Sequence, residues 1–418
     1  MKKVEFKYGV ETVTAEFNER NLMGLLEGCF SRELTPDEEK AELLRSIRMP
    51  ISSDILANIV HPGKKVVIMA SDITRPSPSW KILPVLVGEL NRAGVRDEDI
   101  TILFGMGVHR AHTIEEQRKL VGDDIFSRIE CCDSVNGEPY IYVGDSELGT
   151  PYYVHKRVVE ADTLICTGNI EYHWFAGYSG GAKAVLPGAC NHETIRRSHS
   201  RIGQPGTEAG NLLGPVRRDI DGILKYIKIH FIVNVVLDDK KRILRAFSGD
   251  PIKAHCAGCE YLDSIYGKKI SEPADVVVAS CGGYPKDINV YQAQKALDNA
   301  SLAVKMGGVI ILIGNCSEGF ENRVFEEWMR DADTPESILE RIQQDFQMGG
   351  HKAASFAKVL TKAKVVLVTE MKKEDVETMF IEHSPISQLQ NVINKYTAKA
   401  GSVLVIPQCG SILPIIDN

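Results

Sequence analysis

Short runs rich in Val, Ile and Leu recur along the chain at 65–70, 100–104, 163–167, 231–237, 275–280, 308–314, 363–369 and 402–406. Helix-length amphipathic segments separate most of them. Uninterrupted apolar runs of this length suit strands buried on both faces, and their alternation with helices predicts an α/β fold built on largely parallel sheets. The polar turn Leu237-Asp-Asp-Lys-Lys-Arg-Ile243 reads as a hairpin, so part of the sheet is antiparallel and the sheet mixed. The first nine residues alternate like a strand. A fresh strand–glycine–helix pattern begins at Val276, after Lys268-Lys-Ile-Ser-Glu-Pro273. This predicts two domains, 1–270 and 271–418, each a largely parallel or mixed sheet flanked by helices. The active site is expected in the cleft between them, with the last residues returning to the first domain. No repeat or low-complexity segment interrupts the pattern, and the acidic stretch 321–340 reads as a helix with a solvated face.

The 418 residues suffice for two or three domains with a sizeable core, and 44% apolar with 25% charged residues is ordinary for a soluble protein. A net charge of −7 gives no support to nucleic acid as the main partner. No apolar run approaches the ~20 residues that span a bilayer, and the start has no signal-peptide core, which predicts a cytoplasmic protein. Ten cysteines in such a chain read as reduced thiols. Cys256-Ala-Gly-Cys259 has redox or metal spacing but lacks a second pair, and Cys131-Cys132 is a weaker signal still.

Candidate chemistry gathers just after the apolar runs, where open α/β sheets place ligands. Pro76 biases Arg75 away from helix, so Ser71-Asp-Ile-Thr-Arg-Pro76 puts Asp72 and Arg75 on a loop. Arg75 can fork onto a carboxylate or phosphate while Asp72 accepts from hydroxyls; an Asp–Arg pair pinning a turn reads equally well. Phe104-Gly-Met-Gly-Val-His-Arg-Ala-His-Thr113 lacks the third glycine of a dinucleotide fingerprint. His109 and His112, three apart, can bind a metal, and either alone can act as a base. In Glu171-Tyr-His-Trp-Phe-Ala-Gly-Tyr-Ser-Gly-Gly-Ala-Lys183, His173 and Lys183 flank a glycine-rich turn that is not a P-loop. Gly180 and Gly181 can nevertheless let backbone N–H groups approach a phosphate.

Asn191 reads as the N-cap of a helix that carries His192, Ile195 and His199 on one face, with Arg196, Arg197 and Arg201 making the far side cationic. On a helix beginning near Asp287, Gln292 and Lys295 share a face with Tyr291 close by. An amide and an ammonium so placed make a carboxylate holder, though an exposed helix explains them equally well.

In identity and order these elements resemble the nickel-dependent lactate racemase family of 2-hydroxy-acid racemases and epimerases. The resemblance spans nearly the whole chain and rests on Asp72-Ile-Thr-Arg-Pro76, Gly107-Val-His-Arg-Ala-His-Thr113, the His173 to Lys183 loop, Arg197-Ser-His199 and Tyr291-Gln-Ala-Gln-Lys295. It implies a pyridinium mononucleotide with two sulfur arms, the nickel pincer nucleotide (pyridinium-3,5-bisthiocarboxylic acid mononucleotide nickel), tethered to Lys183 through a thioamide. Ni(II) would be held by both sulfurs, a ring carbon and His199. His109 and His173 would be the alternating acid/base pair, and Arg75 and Lys295, with Gln292, would hold the substrate carboxylate. Asp72 and Tyr291 would touch the cofactor's tail and ring. Hydride transfer from Cα would avoid a carbanion beside a carboxylate and leave a flat 2-keto acid for return on either face. Dedicated enzymes that carboxylate, sulfurate and nickelate a nicotinate precursor would supply the cofactor.

One departure concerns the pocket. Lactate racemases of the family carry a tryptophan near His351-Lys-Ala-Ala-Ser355, where this chain has Ala353 and Ala354 and where none of Trp80, Trp174 and Trp328 lies nearby. The pocket is therefore expected to admit a 2-hydroxy acid larger than lactate. Two rival readings remain at this level: a zinc or iron enzyme using His109, His112, His173 and His199 directly, and a non-catalytic protein that binds a hydroxy acid or mononucleotide.

Overall fold

The computed structural model describes residues 1–418 except 29–32, 76, 203, 239, 345–346, 348 and 418. Cys29, Pro76 and Asp239, which figured in the thiol, loop and hairpin readings, lie outside the described residues. The chain divides into two compact units, one of Ser31–Leu262 and one of Met1–Phe30 with Asp263–Asn418.

The unit Ser31–Leu262 is built on a six-stranded sheet in the order Ile243–Gly249, Phe231–Leu237, Thr163–Ile170, Val66–Ser71, Ile100–Gly105, Glu130–Asp133. Neighbours run parallel except the first pair, the expected hairpin, whose register runs from Ile232 opposite Gly249 to Leu237 opposite Ile243. All eight residues of Thr163–Ile170 are buried, as are the first five of Val66–Ser71, which explains why these strands read as continuous apolar runs. The helix Ser79–Arg92 covers one face with Ile82, Leu83, Leu86 and Leu90. Strand Val66–Ser71 is followed by Ile100–Gly105 on one side, whereas Thr163–Ile170 pairs on the other. The order therefore reverses between Val66–Ser71 and Thr163–Ile170, a switch point of the kind at whose carboxyl ends such sheets bind ligands.

The other unit carries an all-parallel sheet, Glu382–Ser384, Lys364–Val368, Val304–Ile313, Ala274–Ser280, Val403–Ile406, Leu22–Leu25. The amino-terminal hairpin Lys2–Tyr8/Glu11–Phe17 lays Val4, Phe6, Tyr8, Ala15 and Phe17 against Val276, Val278, Ile311 and Ile313 of this sheet. Residues 1–30, which the sequence reading grouped with residues up to 270, thus differ from that expectation. Their alternating apolar residues find an uncovered sheet face here, and Leu22–Leu25 completes its edge. The carboxyl-terminal strand Leu413–Ile416 pairs in parallel with Gly267–Ile270 inside the same unit. The acidic stretch 321–340 forms two helices, Arg323–Asp331 and Pro335–Gln344, because Pro335 cannot continue the first and opens the second. Among the described residues no helix is long and apolar enough to cross a membrane.

Candidate active site

The loop after Val66–Ser71 is organised around Asp72, whose side chain is 4% exposed. Its Oδ1 accepts the Thr74 N–H at 2.8 Å, while its Oδ2 lies 3.3 Å from His109 Nδ1 and 3.8 Å from Arg75 Nε. Burial alone would raise the carboxyl's pKa. Donation from His109 and Thr74, with the Arg75 charge, outweighs it and holds the group at about 2. The Asp–Arg pairing expected from the sequence is present, and His109 joins it.

His112 has a different position from His109. Its side chain is 1% exposed; Nδ1 donates to Asp133 at 2.8 Å, and Nε2 accepts the Ile73 N–H at 3.1 Å. Gln117 also donates to Asp133. Both ring nitrogens are engaged, so the expectation that His109 and His112 jointly hold a metal gives way: His112 pins the Asp72 loop to the strand Glu130–Asp133. Gly105 and Gly107 serve close packing, not a nucleotide. A Cβ on Gly105 would stand 3.0 Å from Gly188 Cα, and the Gly107 N–H donates to the Gly188 carbonyl.

Beyond Thr163–Ile170 the chain folds back in a miniature hairpin, Tyr172–His173 against Gly177–Tyr178. His173 meets Phe175 edge-on at 4.5 Å between ring centroids, and Phe175 meets His199 edge-on at 4.9 Å. The buried Phe175 ring thus spaces two of the candidate histidines. His199 ends the helix His192–His199, which starts as expected on Asn191, whose side chain accepts the Thr194 N–H. His192 is exposed, so it does not share the environment of His199, while Ile195 is buried. Arg196 and Arg197 are exposed; Arg201 instead lies 3.6 Å from the buried Asp219.

Lys183 sits half-buried in the short 3-10 turn Gly181–Ala184. Burial pushes its ammonium down to about 7, assisted by the charges of Arg75 and Arg217 and opposed by Glu171 and Asp72. The turn before it uses φ of +83° at Gly180 and +61° at Gly181, which favours glycine. The Gly181 N–H does not stand open for a phosphate, as expected from the sequence, because it donates to Asn234 Oδ1 at 2.8 Å. Asn234, Arg217 and His255 underlie this turn and were missed. Asn234 left a signal, a single polar residue within the apolar strand Phe231–Leu237. Arg217 and His255 left none.

In the other unit, Asn289 caps the helix Val290–Leu302, which begins three residues later than the expected start at Asp287. Asp287 is instead buried and accepts the N–H groups of Gly9 and Asn315. Gln292 is exposed, and Tyr291 and Lys295 are half-buried. The Tyr291 ring lies under Lys352 Nζ at 4.2 Å and edge-on to Phe325; burial and Glu321 push its hydroxyl up to about 12. Lys352 was not singled out by the sequence. Ala353 and Ala354 are buried within the hydrophobic core of this unit. A tryptophan does lie nearby: a Cβ on Gly350 would come within 2.6 Å of the Trp328 indole, so Trp328 packs against the start of the helix that carries Ala353.

Two families match along the chain: the lactate racemase N-terminal domain over residues 8–210 and the lactate racemase C-terminal domain over residues 270–413. The chain belongs to the lactate racemase family. Membership makes it an isomerase of the racemase type. It is 32% identical to a lactate racemase of Thermoanaerobacterium thermosaccharolyticum, with 91% of each chain covered. It is also 32% identical to a lactate racemase of Lactiplantibacillus plantarum, covering 97% of this chain and 98% of the other. The solved structure of the lactate racemase apoprotein from T. thermosaccharolyticum matches with a TM-score of 0.88 at 31% identity, over 99% of this chain and 100% of that one.

The described cysteines are free thiols, and Cys256 and Cys259 lie on one helix with Cys259 buried beside His255. Among the described residues no group of three or more His, Cys, Asp or Glu side chains is arranged to hold a metal ion.

Proposed function

We propose that this chain interconverts the two enantiomers of a 2-hydroxy acid, lactate or a larger one, and that Lys183 carries a nickel pincer nucleotide whose metal is bound by His199. Lys183 is the observation that carries this reading. An amine brought to about 7 beside the carboxyl end of a sheet is a nucleophile at neutral pH, as a covalent attachment point must be. The setting of His199 also fits. It stands edge-on to Phe175 at the end of its helix, and a metal whose other donors arrive with a cofactor would need only this one imidazole from the chain. When bound, that group would accept a hydride from the substrate Cα and return it.

The chain's own residues would do the rest. Asp72 Oδ2, 3.3 Å from His109 Nδ1, would orient the ring so that Nε2 takes and returns the hydroxyl proton. His173 would do the same for the opposite enantiomer, whose hydroxyl points in another direction. Two bases are needed because one fixed imidazole cannot face both. Arg75, Gln292 and Lys295 would hold the carboxylate, so that only the groups on Cα move. Asp72 then acts as a positioning group for His109 and Arg75, and the tight Gly180–Gly181 turn positions Lys183.

The test is the intact mass of the protein made together with the enzymes that build the cofactor, compared between wild type and Lys183→Ala. An added mononucleotide-sized mass with nickel, absent from the variant, is expected; enantiopure 2-hydroxy acids of increasing size then identify the substrate. Absence of any adduct, while another family member acquires one in the same cells, would overturn the reading.

A further inference from the structure

Arg217 is fully buried, which is rare for arginine and costly unless every part of the guanidinium is used. Here it is used. Nε and Nη2 fork onto Asp221 at 2.8 and 2.7 Å, Nη1 donates to the Tyr178 carbonyl at 3.4 Å, and Nη2 lies 3.4 Å from His255 Nδ1. His255, also buried, donates from Nε2 to the Ser179 carbonyl at 2.8 Å. Burial and the Arg217 charge bring its pKa down to about 3, so the ring is neutral and Nδ1 is free to accept from Arg217. Asn234 accepts the Gly181 N–H from below. Three of the four successive residues Tyr178 to Gly181 are thus held by three side chains from three separate elements. The fit leaves no space: a Cβ at Gly180 would meet Asn234 Oδ1 at 2.8 Å, and one at Gly181 would meet Arg217 Nη2 and His255 Cγ at 3.0 Å.

The hydrogen bonds these groups make run to the protein itself. What they support is the turn that presents Lys183, whose own N–H closes back on the Gly180 carbonyl. We propose that Arg217, locked by Asp221 and His255 and aided by Asn234, is a positioning residue for Lys183 and makes it the reactive amine of this chain. The inference deepens the reading of Lys183 as an attachment point, and requires of that reading only that the amine react.

Two effects follow from the geometry. The clamp on the Tyr178 and Ser179 carbonyls fixes where the Lys183 backbone stands. The buried cation also disfavours a second positive charge close by. The charged and titratable groups around Lys183 are Asp72 and Arg75 after Val66–Ser71, Glu171 after Thr163–Ile170, Arg217 with Asp221 on the helix Pro215–Gly222, and His255, which is neutral. Of these, Arg75 is exposed to solvent, whereas Arg217 is buried with the Asp221 carboxylate forked against it, so each cation's effect on Lys183 is tempered, one by water and the other by its partner.

The proposal is tested on the full-length chain expressed alone, by competitive acetylation with trace acetic anhydride between pH 5 and 11 and site-resolved mass spectrometry. The amine nitrogen bonds to one anhydride carbonyl, acetate leaves with the electron pair, and the amine's proton passes to solvent, so the rate follows the uncharged fraction. The exposed Lys119 is the internal reference. Lys183 should label with a midpoint near 7. In Arg217→Gln the midpoint should rise by about one unit and the rate at pH 7 fall roughly tenfold. Arg217→Lys, which keeps the charge, should restore a low midpoint. A wild-type midpoint within a unit of the ordinary lysine value of about 10.4, or no labelling of Lys183 while Lys119 reacts, overturns the proposal without any variant. An unchanged midpoint in a folded Arg217→Gln protein overturns it too. If Arg217→Gln fails to fold, the wild-type profile and Arg217→Lys decide. Racemisation is not assayed, so a missing cofactor adduct and a failed labelling profile are separate results.

Discussion

Replacing Asp72 with Asn removes a buried charge while keeping shape, and its consequences can be worked from the contacts. The carboxyl is held at about 2 against an ordinary value of 3.8, nearly two pH units. At 1.36 kcal/mol per unit this corresponds to roughly 2–3 kcal/mol of folding free energy. The side chain is 4% exposed, so little is lost to solvent screening. The sign follows from the depressed value: the contribution is complete above the unfolded-state pKa near 4 and is lost as pH falls towards 2. The difference in stability between wild type and Asp72→Asn should therefore be full at pH 7 and 5 and about half gone by pH 3. Denaturant unfolding of both proteins at these three values measures it. In the cofactor-loaded enzyme, an amide in place of the carboxylate can present its N–H to His109 Nδ1 and favour the wrong tautomer, so kcat/KM should drop by about 10²–10³. Enantiomers have equal free energy, so the forward and reverse values must fall by the same factor. Chiral chromatography from each pure enantiomer reads both. Full activity in the variant, or a stability difference that stays flat from pH 7 to pH 3, would refute the role given to Asp72.

His112→Ala should strand the buried Asp133 carboxylate and the Ile73 N–H, at a cost of about 2–4 kcal/mol, or several degrees of Tm, and should slow racemisation although His109 is intact. An unaltered Tm would show that the His112–Asp133 pair does not hold the Asp72 loop. Trp328→Ala leaves Gly350 and its helix facing a void and should cost about 3–5 kcal/mol, measured by denaturant unfolding; a loss below 1 kcal/mol would mean that the indole is not part of the packed core.

Most of the fold is legible because most of it is carried by uninterrupted apolar strands. Thr163–Ile170 and Ala274–Ser280 are buried nearly throughout, and their composition states this directly. The amino-terminal hairpin is legible only as a hairpin. Val4, Phe6 and Tyr8 say that one face will be covered, but not that the sheet covering it is formed by residues nearly 300 positions later. The break at Pro335 was visible as a residue, yet the flanking acidic and apolar spacing suits one helix as well as two. At the candidate site the loop residues could be read because glycine, histidine and lysine after a strand are rare enough to notice. Arg217 and His255 could not, since the groups they clamp lie 38–76 residues away, Arg217 with Asp221 reads as an ordinary i, i+4 pair, and neither breaks the pattern of its own helix.

His109 and His112 show why residue type and spacing stop short of chemistry. They are identical side chains three apart on one loop, and apart from the family resemblance nothing in their type or spacing ranks one above the other. Their surroundings do. His112 has spent both ring nitrogens on Asp133 and the Ile73 N–H, which leaves no lone pair for a metal and no site for a proton in transit. His109, 33% exposed, only approaches Asp72, with Nδ1 3.3 Å from Oδ2, so its ring is not committed to two buried partners as that of His112 is. A zinc or iron centre assembled from all four histidines would need His112 to abandon two buried partners, at a cost of several kcal/mol before any metal bond forms. A base that shuttles a single proton needs only what His109 already has.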